Sequence, residues 1–138
     1  MRELDALCGP TGSLRQEPPD RDEYEGLIQA GNDQFADAQR AANSLHSRFV
    51  LAYGAAHKFA LAALRRAGYR PSQRYVVFQS LQHTLGMRPE VWRVLDHAHR
   101  ARNLSEYEGD RSVDERLVEG LIEATRKVSE ALRALPPL

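Results

Sequence analysis

Apolar side chains recur every three or four residues through most of the chain, the spacing of helices that bury one face. The pattern is clearest near the C-terminus, where it predicts a helix from Ser112 to Leu135 that stops at two consecutive prolines. Earlier segments predict helices over residues 21–42, 44–66, 72–85 and from Pro89 to about Tyr107. No segment shows the alternation of a strand. The sequence therefore predicts an all-α fold, an antiparallel bundle of four to five helices over residues 20–138.

Capping residues support these boundaries. Asp20 precedes the first helix, and either Asn43 or Ser44 precedes the second, as N-cap residues do. Gly68 follows the second helix, where a left-handed residue commonly ends a helix. Ser112 lies three residues before Glu115, which is the spacing of a capping box at the start of the last helix.

Residues 1–19 differ in composition from the rest of the chain. They contain several prolines and glycines and few large apolar side chains, so we expect a flexible N-terminal arm with a short helical turn over residues 3–7. The arm lacks the apolar centre of a signal peptide, and no run of about 18 apolar residues predicts a membrane span. Cys8 is the only cysteine, which is typical of a cytoplasmic protein.

The formal net charge is zero, but the charges are unevenly distributed. Residues 1–43 carry a net charge of −5, residues 44–102 a net charge of +8, and residues 103–138 a net charge of −3. A basic segment of this kind is typical of a surface that binds a polyanion. The alternative, equally open from sequence, is that the basic residues pair with the acidic helices. The candidate RNA-binding residues are Arg65, Arg66, Arg70 and Arg74.

The end of the fourth predicted helix carries the most reactive set of side chains. Its candidate catalytic residues, which fall on or beside one face at helical spacing, are His99, Arg102, Asn103 and Tyr107. A guanidinium offers a planar fork of donors suited to phosphate, and an amide both donates and accepts. The imidazole has an unperturbed pKa suited to proton transfer near neutral pH. The alternative is an ordinary helix end whose polar groups bind carbonyl groups and a neighbouring helix.

Other chemistry is not indicated by the sequence. It contains no glycine-rich phosphate loop, no nucleophile elbow and no zinc-protease motif. His97 and His99 are two residues apart on a helix and point to different sides, which makes them a poor metal pair. His57 lies at the edge of an apolar stripe, where a histidine is more often a packing residue than a ligand. We therefore expect no metal and no cofactor.

Two segments resemble the HEPN superfamily. The first is Tyr53-Gly54-Ala55-Ala56-His57, in a long alanine-rich helix that ends in Leu64-Arg65-Arg66-Ala67-Gly68-Tyr69-Arg70. The second is Arg102-Asn103-x-x-Glu106-Tyr107, late in the fourth helix. In this order and spacing the segments are similar to the small prokaryotic HEPN proteins, and the similarity covers residues 21–135.

The resemblance implies an activity and partners. HEPN proteins are helical bundles, typically dimeric, and many are metal-independent ribonucleases in which an arginine and a later histidine of two protomers meet in one cleft. Arg102 and Asn103 match the first half of that motif, but Tyr107 stands in place of the histidine and no histidine follows it. The resemblance implies an RNA-associated protein of a bacterial toxin–antitoxin or defence system, either an RNase-like toxin or a catalytically degenerate relative. The implied partners are RNA, a second copy of the chain and a nucleotidyltransferase-type antitoxin.

Roles follow from this resemblance together with the residue chemistry. Arg102 would hold a phosphate, Asn103 would orient it, Tyr107 would line the cleft, and His99 would supply the imidazole that the motif position lacks. The competing interpretation is a non-enzymatic helical interaction module that binds a protein partner or a nucleotide, because a fold does not determine a function.

Overall fold

The computed structural model describes residues 2–9, 12–108 and 113–138, and the side chains of Arg2 and of residues 105–108 lie outside the described part. Within these ranges the chain is mostly helical, with one small antiparallel sheet of two strands. The elements are α1 (Arg2–Asp5), β1 (Leu14–Gln16), α2 (Arg21–Ala38), α3 (Leu45–Arg66), β2 (Tyr69–Pro71), α4 (Tyr75–Gln79), α5 (Leu81–Thr84), α6 (Pro89–Glu108) and α7 (Glu115–Arg133).

Helices α2 and α3 lie antiparallel and close together. Their side-chain contacts occur in opposite order along the two helices: Glu23 with Arg65, Gln34 with Lys58, and Ala38 with Arg48. A Cβ atom added to Gly31 would lie 2.6 Å from Phe59 Cε1. The missing side chain at Gly31 therefore permits the close approach of the two helices, and the alanine-rich face of α3 extends the contact.

Local hydrogen bonds define where these helices begin and end. Asp20 accepts a hydrogen bond from the Glu23 amide at 2.9 Å, and Ser44 accepts one from the Ser47 amide at 3.2 Å, which confirms both predicted N-caps. Gly68 has the positive φ of 95° predicted for the residue after α3.

The end of α2 was predicted too late, at residue 42 instead of Ala38. The side chains of Asn43 and Arg48 donate to the carbonyl oxygens of Asp37 and Ala38, each at 2.9 Å. These bonds satisfy the last carbonyl groups of the helix, so the chain can turn there towards α3.

The start of α7 was also predicted incorrectly. Asp114 is the N-cap and accepts from the Leu117 amide at 2.8 Å, so the helix begins at Glu115. Ser112, which was predicted to cap it, lies outside the described residues. Of the predicted apolar stripe of α7, Leu121, Ala124 and Val128 are buried, whereas Val113, Leu117 and Leu135 are partly buried against the core. The helix packs against α3 and α6.

The predicted third helix over residues 72–85 is two short helices, α4 and α5. The hydroxyl group of Ser80 donates to the Val77 carbonyl oxygen at 2.7 Å, and that of Thr84 donates to the Ser80 carbonyl oxygen at 3.3 Å. Hydroxyl groups that bond nearby carbonyl groups compete with regular helix, which accounts for the break at Ser80. The segment before α4 forms β2, a strand that the sequence pattern did not predict.

Residues 1–19 were predicted to form a flexible arm, but described residues of that segment pack against the rest of the fold. Leu4 and Leu14 are fully buried and form a second small core with Leu64, Tyr69 and Val76. Strand β1 pairs with β2 in the register Leu14 with Pro71, Arg15 with Arg70 and Gln16 with Tyr69. The short helical turn near the N-terminus is present as α1, and this segment packs on the helices.

The main core lies between α2, α3, α6 and α7, with α4 and α5 covering one end of it. None of the helices in the described ranges combines the length and the apolar character needed to cross a membrane.

Candidate functional site

Helices α3, α4 and α6 bring the main candidate residues to one edge of the bundle. Leu95 and Ala98 are fully buried on the inner side of α6, which places His99, Arg102 and Asn103 at the flank of that helix. Tyr53 on α3 lies opposite them, and its side chain is only 4% exposed. The convergence of three polar side chains at the edge of an apolar stripe, predicted from the spacing, is therefore present.

Polar contacts join these side chains in a row. The hydroxyl oxygen of Tyr53 lies 2.9 Å from His99 Nδ1, and His99 Nε2 lies 3.5 Å from Asn103 Nδ2. Arg102 Nη1 donates to Asn103 Oδ1 over 3.4 Å. The guanidinium carbon of Arg102 also lies 5.5 Å from the centroid of the Tyr53 ring. We call Tyr53, His99, Arg102 and Asn103 the His99 cluster.

The environment of His99 favours its neutral form. Burial is the largest cause that lowers the pKa of this imidazole; the carboxylate of Asp96 opposes it, and the charges of Arg102 and Arg74 lower the pKa further. Its ring stacks on Tyr53 at 6.2 Å between centroids and meets Phe78 edge-on at 6.5 Å. A neutral imidazole at neutral pH can accept a proton, which is the state that a general base requires.

His57, one turn after Tyr53 on α3, is a packing residue. Its ring meets Phe78 edge-on at 6.0 Å, and its buried Nε2 atom has no hydrogen-bond partner among the described residues. Burial, with the nearby charges of Arg74 and Lys58, lowers the pKa of His57 to about 4. This is the packing role that the sequence favoured for His57.

The fourth candidate catalytic residue is Tyr107. Helix α6 continues through it to Glu108, but its side chain lies outside the described part of the chain. Its role in lining a cleft therefore stays a prediction, and the His99 cluster is defined without it.

Arg65, one of the predicted RNA-binding residues, is instead buried, with 1% of its side chain exposed. Its Nε donates to Glu23 at 2.6 Å. Its other nitrogens donate to three carbonyl oxygens, those of Glu17 at 3.0 Å, Pro18 at 2.7 Å and Tyr69 at 3.2 Å. A guanidinium enclosed in this way cannot reach a phosphate, because every nearby direction is occupied by its own protein.

Arg70 belongs to the same ion cluster. It donates to Glu17 and to Glu23, each at 2.6 Å. Hydrogen bonds from Arg70 are the largest cause that lowers the pKa of both carboxyl groups, with Arg65 contributing to each. For Arg65 and Arg70 the alternative of internal pairing is thus the one that the structure supports.

The remaining two basic candidates differ from each other. Arg66 is partly buried, with its guanidinium carbon 5.5 Å from the centroid of the Tyr24 ring. Its buried Nη1 atom has no hydrogen-bond partner in the described part of the chain. Arg74 is exposed just before α4, close enough to His57 and His99 to lower the pKa of each. Among these four candidates Arg74 is the one placed to contact an external phosphate beside the His99 cluster.

Tyr53 was predicted to lie in the apolar stripe of α3 and was not identified as part of a site. The sequence did contain a signal for Tyr53. Tyr53 and His57 are large rings with polar atoms, four residues apart on a helix face made mostly of alanines. A buried tyrosine hydroxyl needs a hydrogen-bond partner, and His99 supplies it from a helix 46 positions away in sequence.

A separate concave feature lies on α2 and α7. It is a groove of about 410 Å³ whose lining includes Tyr24, Ile28, Phe59, Leu132, Leu135 and Pro136, and it shares no residue with the His99 cluster. Among the described residues, no group of three or more histidine, cysteine, aspartate or glutamate side chains is arranged to hold a metal ion.

Comparison with protein-family models, with curated proteins and with solved structures gave no match to the chain. The resemblance to the HEPN superfamily therefore remains a hypothesis that rests on the residues themselves.

Proposed function

We propose that this chain is an HEPN-type RNA-associated protein, an RNase-like toxin or a catalytically degenerate relative of a bacterial toxin–antitoxin or defence system. The observation that carries the proposal is the placement of His99 beside Asn103 and Arg102 at one edge of α6. The motif lacks its usual histidine, and His99 supplies an imidazole from one turn earlier on the same helix.

The proposed reaction is metal-independent cleavage of RNA. Arg102 holds the phosphate and stabilises the charge that develops on it. The ribose 2′-oxygen bonds to phosphorus as its proton passes to His99 Nε2, and the bond from phosphorus to the 5′-oxygen breaks. The leaving oxygen takes a proton from water. The lowered pKa of His99 supports this role, because the imidazole is then unprotonated at neutral pH.

The proposal extends to assembly. A homodimer through the surface that bears Arg102 would bring two copies of the His99 cluster into one cleft. Sedimentation at micromolar concentration should then show twice the chain mass of 15.6 kDa. A monomer at every concentration would contradict the composite cleft. A nucleotidyltransferase-type antitoxin remains a partner implied by the resemblance alone.

The direct test is RNA cleavage in the presence of EDTA, with wild type compared against Arg102→Ala and His99→Ala. Each variant should lose orders of magnitude in rate. Arg100→Ala is the matched control, because Arg100 is on the same helix, is 72% exposed and contacts Asp96 at 3.7 Å. Thermal melts of all proteins must accompany the assay to separate a local loss from unfolding.

Two results would contradict the proposal in different ways. Cleavage that EDTA abolishes would indicate a metal-dependent reaction or a contaminating nuclease. Full cleavage by a stable Arg102→Ala variant would place the site elsewhere. If wild type binds RNA without cleaving it, the degenerate form of the proposal holds, and Arg102→Ala should weaken binding by about 1.5–3 kcal/mol.

The second candidate function is a non-enzymatic interaction module that binds a protein partner or a nucleotide. The apolar groove between α2 and α7 favours it, because its volume falls in the range of ligand sites. Ile28→Glu would replace an apolar lining residue by a charged one in a groove that Glu25, Asp33 and Arg133 also line. Loss of partner binding in Ile28→Glu, with binding retained by Arg102→Ala, would favour this candidate over the first.

A further inference from the structure

The donors and acceptors in the His99 cluster can be assigned by starting from Arg102. A guanidinium carries only donors, so Arg102 must donate to Asn103, and the Asn103 atom that faces it must be Oδ1. That orientation turns Nδ2 of Asn103, which also carries only donors, towards His99 Nε2. A flipped amide would place two donor groups against each other on the side of Arg102.

The tautomer of His99 follows from this orientation of Asn103. Because Asn103 presents a donor to Nε2 over a long contact of 3.5 Å, the arrangement favours Nε2 as the unprotonated nitrogen of a neutral imidazole, with the ring proton on Nδ1. Nδ1 is 2.9 Å from the hydroxyl oxygen of Tyr53, a normal hydrogen-bond length. The Nδ1–H group therefore donates to Tyr53, whose oxygen accepts.

We propose that Tyr53 is a positioning residue for His99: its hydroxyl oxygen accepts the Nδ1–H hydrogen bond and so keeps Nε2 unprotonated at the edge shared with Asn103 and Arg102. In the proposed ribonuclease reaction, on which this role rests, the ribose hydroxyl group displaces the Asn103 amide from its long 3.5 Å contact with Nε2, and Nε2 then takes the proton. Tyr53 does not touch the substrate; it acts through the tautomer and the ring orientation of His99.

Tyr53 has two separable contacts within the cluster. Its hydroxyl group contacts His99, whereas its ring face lies under the guanidinium of Arg102. Tyr53→Phe removes the first contact and retains the second, so it should change the proton-transfer step and leave phosphate binding intact. Tyr75→Phe is the matched control, because Tyr75 is 46% exposed and lies outside the cluster.

Nitrogen-15 NMR of the protein with labelled histidine, near pH 7.5, measures the tautomer directly. The His99 signals are those that disappear from the spectrum of His99→Asn. We expect the Nδ1–H form in wild type and in Tyr75→Phe, and a substantial Nε2–H population in Tyr53→Phe. An Nε2–H tautomer in wild type, or a tautomer ratio that Tyr53→Phe leaves unchanged, would overturn the proposal.

Kinetics with a single-stranded RNA oligonucleotide give the second measurement. Tyr53→Phe should lower kcat about fivefold to tenfold and leave KM within about twofold of the wild-type value. This is the effect expected from losing the one hydrogen bond that orients the His99 ring. An equal fall in kcat for Tyr75→Phe, or a rise in KM alone for Tyr53→Phe, counts against positioning. If wild type cleaves no RNA, the ribonuclease proposal fails by itself, and the NMR result still decides the role of Tyr53.

Discussion

His57 should make the stability of this protein depend on pH in a range where few other groups contribute. Its pKa is lowered from 6.5 to about 4 in the folded chain, chiefly by burial. Between these two values the unfolded chain binds a proton that the folded chain does not. The free energy of unfolding is therefore fully retained above pH 6.5 and falls as the pH drops towards 4.

The size of the effect follows from the shift. Integrating the difference in proton binding from about pH 7.5 to pH 5 gives a loss of about 2 kcal/mol. The carboxyl groups of Glu17 and Glu23 also have pKa values below the usual 4.5. Their contribution to the free energy of unfolding is therefore lost only as the pH falls through 4.5 and below. The pKa of His99 is lowered in the same direction as that of His57. Part of the dependence of the unfolding free energy on pH should therefore remain when His57 is replaced.

Urea unfolding at a series of pH values tests this reasoning with two replacements. His57→Phe and His57→Gln both remove the titrating group, and each should lose about 2 kcal/mol less than wild type between pH 7.5 and pH 5. His97→Gln is the control, because it removes an exposed histidine from α6. If wild type and both His57 variants show the same pH slope, the buried neutral imidazole is not the cause.

Two further predictions concern the packing of the helices. Arg65→Met should lower the free energy of unfolding by about 2–4 kcal/mol, because it leaves the carbonyl oxygens of Glu17, Pro18 and Tyr69 without their donor, although Arg70 still pairs with the two carboxylates. Arg21→Met, at a position 69% exposed, should change it by less than about 0.5 kcal/mol in denaturant titrations. Gly31→Ala should lower the free energy of unfolding by about 1–3 kcal/mol, because the new Cβ atom would lie 2.6 Å from Phe59. In the same helix, a Cβ atom at Gly26 would meet nothing within 4 Å, so Gly26→Ala should raise the free energy of unfolding by about 0.5–1 kcal/mol. Equal melting-temperature shifts for the two glycine variants would contradict the close approach of α2 and α3.

The predictable part of the fold is the part that local signals determine. The stripe of α7 and the caps at Asp20 and Ser44 depend on residues within a few positions of each other, and the structure confirms them. Strands β1 and β2 could not be predicted in this way, because each has three residues and β2 ends in Pro71. Their pairing depends on burial of Leu14 in a small separate core, which no local period reveals.

In the candidate site, too, the contacts within one helix could be predicted and the contacts between distant segments could not. His99, Arg102 and Asn103 share one helix, so their spacing alone placed them together. The partner on α3, Tyr53, and the internal pairing of Arg65 both depend on contacts between residues more than 40 positions apart. A count of charges along the chain cannot distinguish an arginine that faces solvent from one enclosed by its own protein, which is why the sequence left a binding surface and internal pairing equally open for the basic segment.

The enclosure of Arg65 has a consequence for hydrogen exchange. A sheet of two three-residue strands would ordinarily open and close by itself, and its amides would exchange quickly. Here, separation of the segment after β1 would withdraw the carbonyl groups of Glu17 and Pro18 from a guanidinium that is 1% exposed. The amides of Glu17 and Ser72, which bond across the two segments, should therefore exchange at rates close to those of α3. A sheet too small to persist alone becomes part of the cooperative unit of the helices.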